Sequence, residues 1–337
     1  MIDIDVVILW VDGSDEQWIR KRNEHLGKDV SQEEIEALAK QYRNWDNLQY
    51  LFRGIEQFMP WVRRVHFVTN GQKPEWLNEK APKLNWVRHE DFMPAEYLPV
   101  FSANPIELNV HRIPGLAERF IFFNDDMFVT RPTKQKDFFG KNGLPKDQSV
   151  LFRTTSTNYD EVFGYFLFND IGLINRNFKR NDVLRKHYAK LFSFRNGFLA
   201  PVLSATYLPT NHFPGFMINH MPQPFLKSVF NEVWEKEARV LHATSQHKFR
   251  DKADVNQYIM REWQFVTGKF QPTNLLRANK YFSIFPDQLE RACVAIESGT
   301  NRIVCINDVD IGDFSQTKQM INGSLEKILP NQSEFEK

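Results

Sequence analysis

Two adjacent carboxylates, Asp125 and Asp126, follow directly on the run Phe120-Ile121-Phe122-Phe123-Asn124. Four consecutive apolar residues describe a strand covered on both faces, and charge begins where that strand must stop. In open α/β sheets ligands collect at the carboxyl ends of strands, so the pair is placed to hold a divalent cation or the groups that react beside it. The competing reading is a polar turn closing a hairpin, because Asn-Asp pairs suit turns. The pattern recurs near both ends of the chain. Val6-Val7-Ile8-Leu9-Trp10-Val11 delivers Asp12-Gly13-Ser14-Asp15, where Gly13 permits a sharp turn. The next helix then offers its first amides either to a capping Ser14 or Asp15 or to an anion such as a diphosphate. Late in the chain Val304-Cys305-Ile306-Asn307 delivers Asp308. Between these runs His220 falls in Asn219-His220-Met221-Pro222-Gln223-Pro224, where two prolines interrupt regular structure and leave the imidazole on a turn. Ser245-Gln246-His247-Lys248-Phe249-Arg250 precedes a helix that Asp254 is expected to start, with Val255, Tyr258, Ile259, Trp263 and Val266 facing inward.

The elements that must position these groups alternate. Val65–Thr69 and Trp86–Arg88 are expected strands, and Leu48, Leu51, Phe52, Ile55 and Phe58 follow helical spacing up to Pro60. Arg53 and Glu56 lie three apart on that helix, an ordinary surface pair unless other residues recruit them. Asn104 is placed to cap a helix with Pro105 as its first residue, and His111-Arg112 closes it, where cations answer the helix dipole. Strand and helix in turn predict right-handed crossovers and a mostly parallel sheet. Residues 22–45 are charged and are expected to form a surface excursion or lid with a helix around Ser31–Tyr42. Val150–Arg153 is an expected extra strand. Residues 176–195 alternate basic and apolar side chains in the manner of a basic amphipathic helix, suited to a solvated outer face, to anionic lipid head groups or to an anionic polymer. The tail 315–337 looks polar and dispensable.

Composition bounds the partners. The 337 residues contain 43 Lys plus Arg against 42 Asp plus Glu, which argues against a nucleic-acid binder relying on net positive charge. Two cysteines, Cys293 and Cys305, make neither a disulfide framework nor a four-thiolate zinc site and fit a reducing compartment. The opening Met1-Ile2-Asp3-Ile4-Asp5 has no secretory pattern, and no apolar stretch reaches the roughly 20 residues a membrane span needs. A cytoplasmic location is expected.

Four blocks of the chain resemble the Stealth family of sugar-1-phosphate transferases. They are Ile4 to Asp15; a long block from Arg53-Gly54-Ile55-Glu56 through Val68-Thr69-Asn70-Gly71-Gln72 and His111-Arg112-Ile113-Pro114-Gly115-Leu116 to Phe123-Asn124-Asp125-Asp126-Met127-Phe128; His220-Met221-Pro222 with Ser245 to Arg250; and Cys305-Ile306-Asn307-Asp308. The chain departs from the family pattern at Leu9, Gln49 and Pro105.

The resemblance implies transfer of a hexose-1-phosphate from a UDP-sugar to a hydroxyl of a growing glycan, with a phosphodiester formed and UMP released. It also implies a GT-A or Rossmann-like, mostly parallel α/β sheet flanked by helices, and capsule or cell-wall polysaccharide synthesis with peripheral association at the inner membrane face. One catalytic domain over residues 1–314 is expected, with a nucleotide-sugar-binding part at 1–150, a helical insertion at 175–240 and a completing segment at 241–314. Phosphoryl chemistry needs an in-line hydroxyl, neutralisation of phosphate oxygens and a proton acceptor. On that basis Asp126 and His220 are the candidate acid/base groups, and Arg250 and Arg112 would neutralise the diphosphate. Asp125 and Asp308 are candidate ligands of Mg²⁺ or Mn²⁺. Asp12, Gly13, Ser14, Arg53, Glu56, Asn104 and His247 would bind or position the donor. The rival within enzymes is a metal-dependent glycosyltransferase releasing UDP, and from another class a lectin-like module that keeps the fold without turnover.

Overall fold

The computed structural model describes residues 2–27, 44–155, 159, 161–308 and 311–337. The expected helix at Ser31–Tyr42 lies outside the described residues. Strands are β1 (Ile4–Leu9), β2 (Val65–Thr69), β3 (Leu84–Arg88), β4 (Arg119–Phe123), β5 (Met127–Val129), β6 (Lys146–Asp147), β7 (Gln223–Leu226), β8 (Gln271–Pro272), β9 (Asn279–Ile284) and β10 (Ile303–Asp308). Helices are α1 (Glu16–Leu26), α2 (Leu48–Phe58), α3 (Ala103–Asn109), α4 (Gln135–Phe138), α5 (Phe163–Asn177), α6 (Arg180–Leu191), α7 (Ala200–Ala205), α8 (Lys227–Gln246), α9 (Tyr258–Val266), α10 (Leu289–Glu297) and α11 (Phe314–Ile328).

The main sheet runs β3-β2-β1-β4-β7, with the first four strands parallel and β7 antiparallel at the edge. Both of its faces are covered, and the strand pleat sorts the side chains between them. Val6, Ile8, Ile121 and Phe123 enter one apolar cluster with α2, the second sheet and the C-terminal segment. Val7, Val68, Phe120 and Phe122 enter the other, against residues of α3, α5, α8 and α9. The second sheet, β5-β10-β9, begins where β4 ends: the chain turns at Asn124–Asp126 and passes from one sheet into the other. The Asn-Asp-Asp stretch is therefore a turn, though it joins strands of different sheets and closes no hairpin. Gly54 of α2 lies so close to β5 that a Cβ there would stand 2.6 Å from the Val129 carbonyl oxygen, which explains a glycine inside that helix.

Several expectations are corrected. Val150–Arg153 forms no strand; Leu151 makes one isolated bridge to Phe216. Helix α3 starts at Ala103 with Asn104 inside it, and α9 starts at Tyr258, with Asp254 four residues upstream. The helical part begins earlier than residue 175, at Phe163, and β7 interrupts the 175–240 stretch. The tail is structural: α11 and its sequel bury Ile321, Leu325, Leu329 and Phe335 in the first core cluster. No helix among the described residues is long and apolar enough to cross a membrane.

Candidate active site

The strand order reverses at β1. The chain builds β2 and β3 on one side of it, then returns to place β4 on the other, so the carboxyl ends of β1 and β4 flank a switch point. A cavity of about 470 Å³ opens there. It collects Asp12 from the end of β1, Asn70 after β2, His89 after β3, Glu107 from α3, Asn124, Asp125 and Asp126 after β4, His220 from the approach to β7, Arg250 from the loop after α8, and Asp308 from the end of β10. Trp10, Trp18, Trp45 and Phe101 supply flat apolar wall, the surface on which a base or sugar ring packs.

His220 Nε2 lies 2.9 Å from Asp126 Oδ2, and the Cys305 thiol donates to the same oxygen at 3.4 Å. Burial alone would lower the His220 pKa, but the hydrogen bond and charge of Asp126 outweigh it and raise the imidazole above its ordinary value. Burial first, and Asp126 second, push the Cys305 thiol well above the usual thiol range. The donor atoms of Asp126, His220 and Cys305 lie within 4.8 Å of one another. Without an ion the trio is a hydrogen-bonded unit in which Asp126 accepts from the Cys305 thiol and faces His220. Burial, reinforced by the neighbouring Asp126 charge, raises Asp125 to about 7. The Asp125 side chain nevertheless opens onto the cavity, where water or a ligand reaches it.

Arg250 stands on a loop tied at several points. Lys248 Nζ donates to the Leu98 carbonyl, Phe101 N–H donates to the Lys248 carbonyl, and Phe249 stacks on Phe101 with centroids 5.3 Å apart. His247 Nδ1 sits 2.6 Å from buried Asp254, which also accepts from Asn104. His247 and Asn104 thus brace the Arg250 loop from behind the cavity wall. Among the described residues no hydrogen bond or ion pair engages the Arg250 guanidinium, which leaves its donors for an anion.

Other expected donor contacts fall elsewhere. Asp12 lines the cavity, but its carboxylate accepts from the Ser14 amide and hydroxyl, so Ser14 folds back on the turn. The amides of Gln17 and Trp18 are taken by Asp15, and this helix start is a cap rather than an anion seat. Arg53 turns away from the cavity to Glu336, with both guanidinium contacts at 2.8–2.9 Å, and to Glu326; Glu56 accepts from the Glu334 amide. Both residues fasten the C-terminal segment. Arg112 lies over the Trp234 ring at 4.7 Å and donates to Asn109, outside the cavity. None of the three is among the residues that line the cavity.

Glu107 is the residue that sequence reasoning missed. It is buried on α3, and burial pushes its carboxyl up to about 7 against the opposing pull of Arg250 and His220. The available signal was an acid inside the otherwise apolar or uncharged run Ile106–Val110. Cys305 was also overlooked as a partner of Asp126.

Fold and cavity define a mixed α/β protein with an acid–imidazole–guanidinium site at the carboxyl ends of a parallel sheet. Stealth protein conserved region 1 matches residues 3–29, conserved region 2 residues 41–147 and conserved region 3 residues 219–259. The chain is 39% identical over 99% of its length to the receptor polysaccharide phosphotransferase WefC of Streptococcus gordonii, covering 98% of that protein. It is 38% identical to the capsular polysaccharide phosphotransferase WcwK of Streptococcus pneumoniae over the full length of both. The exopolysaccharide phosphotransferase cps2G of Lactiplantibacillus plantarum is 37% identical, over 99% of this chain and 96% of its own. The chain belongs to the Stealth family. Among solved structures, the galactosyltransferase LgtC aligns over 98% of this chain and 96% of its own at 11% identity with a TM-score of 0.42.

Proposed function

We propose that this protein transfers a hexose-1-phosphate from a UDP-sugar to a hydroxyl of a growing capsular or cell-wall polysaccharide, releasing UMP. The observation that carries the reading is the convergence of Asp126, His220, Arg250, Glu107, Asp125 and Asp308 on one cavity at the switch point, in a chain whose curated relatives are named polysaccharide phosphotransferases. The sheet order supports the finer assignment to the GT-A or Rossmann-like nucleotide-binding type.

Asp126 accepts the Nε2 proton of His220 and leaves Nδ1 basic, the tautomer a general base needs. The acceptor hydroxyl oxygen attacks the β-phosphorus, its proton passes to His220 Nδ1, and the bond from the β-phosphorus to the bridging oxygen breaks. UMP departs with that oxygen, and the sugar remains on the new phosphodiester. Arg250 faces the charge that builds on the phosphate oxygens. Asp125 and Asp308 line the same cavity as Asp126 and would be the hard-oxygen donors for Mg²⁺ or Mn²⁺, although among the described residues the donor atoms that lie within 4.8 Å of one another are those of Asp126, His220 and Cys305. Asp126 Oδ1 is buried without a hydrogen-bond partner, which is the condition a cation would relieve. Such an ion, when bound, supplies further neutralisation of the diphosphate.

The test is incubation with a panel of UDP-sugars, Mg²⁺ and a glycan acceptor, read by mass and phosphorus NMR. A phosphodiester resonance with UMP is expected. Release of UDP with a new glycosidic bond would replace the proposal with glycosyl transfer, and no turnover of any donor would favour a binding module.

A further inference from the structure

The outer edge of the helical part carries a feature the active site does not use. Phe194, Phe198, Leu199 and Val202 are 69%, 83%, 61% and 60% exposed, and Leu203 adjoins them. The Phe194 and Phe198 rings are 6.5 Å apart. This is a held surface rather than a loose loop: buried Asn196 accepts from the Ser149 amide and donates to the Lys190 carbonyl, and Arg180 grips the carbonyls of Tyr207 and Leu208 just beyond α7. A cluster of exposed rings and aliphatic chains, held in place and solvated at a cost, marks an interaction surface.

The charge around it selects the occupant. From residue 183 to residue 231 the chain contains no Asp or Glu, although it has 42 elsewhere; within that span Lys190 is tied to the Gly268 and Phe270 carbonyls and Arg185 pairs with Asp182, whereas Lys186 and Arg195 are exposed. Arg195, exposed, lies between Phe194 and Phe198 along the chain. We propose that this patch seats the protein on an anionic lipid surface, with Phe198, Leu199 and Val202 entering the acyl boundary and Arg195 at the phosphate level. Exposed apolar side chains beside exposed Arg195, in a stretch of chain free of acids, match an anionic interface. A second copy would set Arg195 against its own like charge, and a glycan stacked on Phe194 and Phe198 would leave the exposed aliphatic side chains of Leu199 and Val202 uncovered.

The experiment is co-sedimentation of the full chain with vesicles of phosphatidylcholine alone or with one-third phosphatidylglycerol, needing no turnover and so separable from the proposed reaction. Binding to the anionic vesicles, weakened by salt, is expected. F198S/L199S should abolish it, and Arg195→Glu should weaken it by about tenfold or more, with melting temperatures and UMP release to a soluble acceptor unchanged. Absence of binding to anionic vesicles, or binding that both variants retain, would overturn the proposal. So would equal binding to neutral vesicles, or a concentration-dependent dimer in sedimentation velocity that F198S/L199S dissolves.

Discussion

If Asp126 assists catalysis only through His220, removing both must cost no more than removing His220 alone. Replacing Asp126 by Asn keeps the side chain's size while deleting the charge that His220 Nε2 faces at 2.9 Å. A hydrogen bond to a charged group contributes about 1.5–3 kcal/mol, which on a rate is roughly 10- to 150-fold. The pair is partly exposed, 29% and 22% by side chain, so solvent screening favours the lower half of that range. His220→Ala deletes the base itself and should lower kcat by about 10²–10⁴. With independent action the double variant would lose the product of the two factors. With serial action it matches His220→Ala, and the coupling energy equals the whole Asp126→Asn effect. UMP release under saturating donor measures kcat for the four proteins, and the donor KM should move little. Losses that simply multiply would refute serial action through His220 and leave Asp126 to act separately, as through its unpartnered Oδ1.

Other consequences follow from the same geometry. Because Asp126 raises the His220 pKa and the base acts unprotonated, log kcat/KM should rise with pH along a limb centred above 6.5, and Asp126→Asn should move that limb to lower pH; a limb that stays in place contradicts the assignment. Arg250→Lys should lower kcat more than donor affinity, since a point charge replaces the planar fork, and a purely KM effect would make Arg250 a ground-state contact. Phe335→Ala, at a side chain 2% exposed and 5.3 Å from the Phe52 ring, should cost about 3–5 kcal/mol; a chain ending at residue 314 that melts like the full protein would restore the tail as dispensable. Burial raises Glu262 to about 8. A raised acid favours the fold while protonated and loses that contribution as pH climbs from its unfolded value through 8. Glu262→Gln should therefore raise the melting temperature at pH 8 and leave it nearly unchanged at pH 5, as differential scanning calorimetry would show.

Much of this protein was legible along the chain because parallel strands buried on both faces leave a local mark. The apolar runs at Val6–Leu9, Val65–Thr69 and Phe120–Phe123 sit where their composition places them, and each is followed by a polar residue that lines the cavity. A strand end is a local event, so the next residue inherits its position from its neighbours. Arg53 and Arg112 misled for the opposite reason. Nothing local distinguishes an arginine aimed at a ligand from one that anchors a distant carboxylate or lies on an indole. Their partners, Glu336 and Trp234, are 283 and 122 positions away.

The sequence by itself determined the strand ends, the acids they deliver and the family, since these depend on side-chain pattern over a few residues at a time. Only the tertiary structure decided which charges meet. It drew Glu107, a helix residue among apolar neighbours, up to Arg250 and His220, and it turned a polar-looking tail into core through Ile321, Leu325 and Phe335. The physical reason is that burial and charge pairing are set by chain crossovers, which bring together segments whose spacing along the backbone carries no trace of their contact.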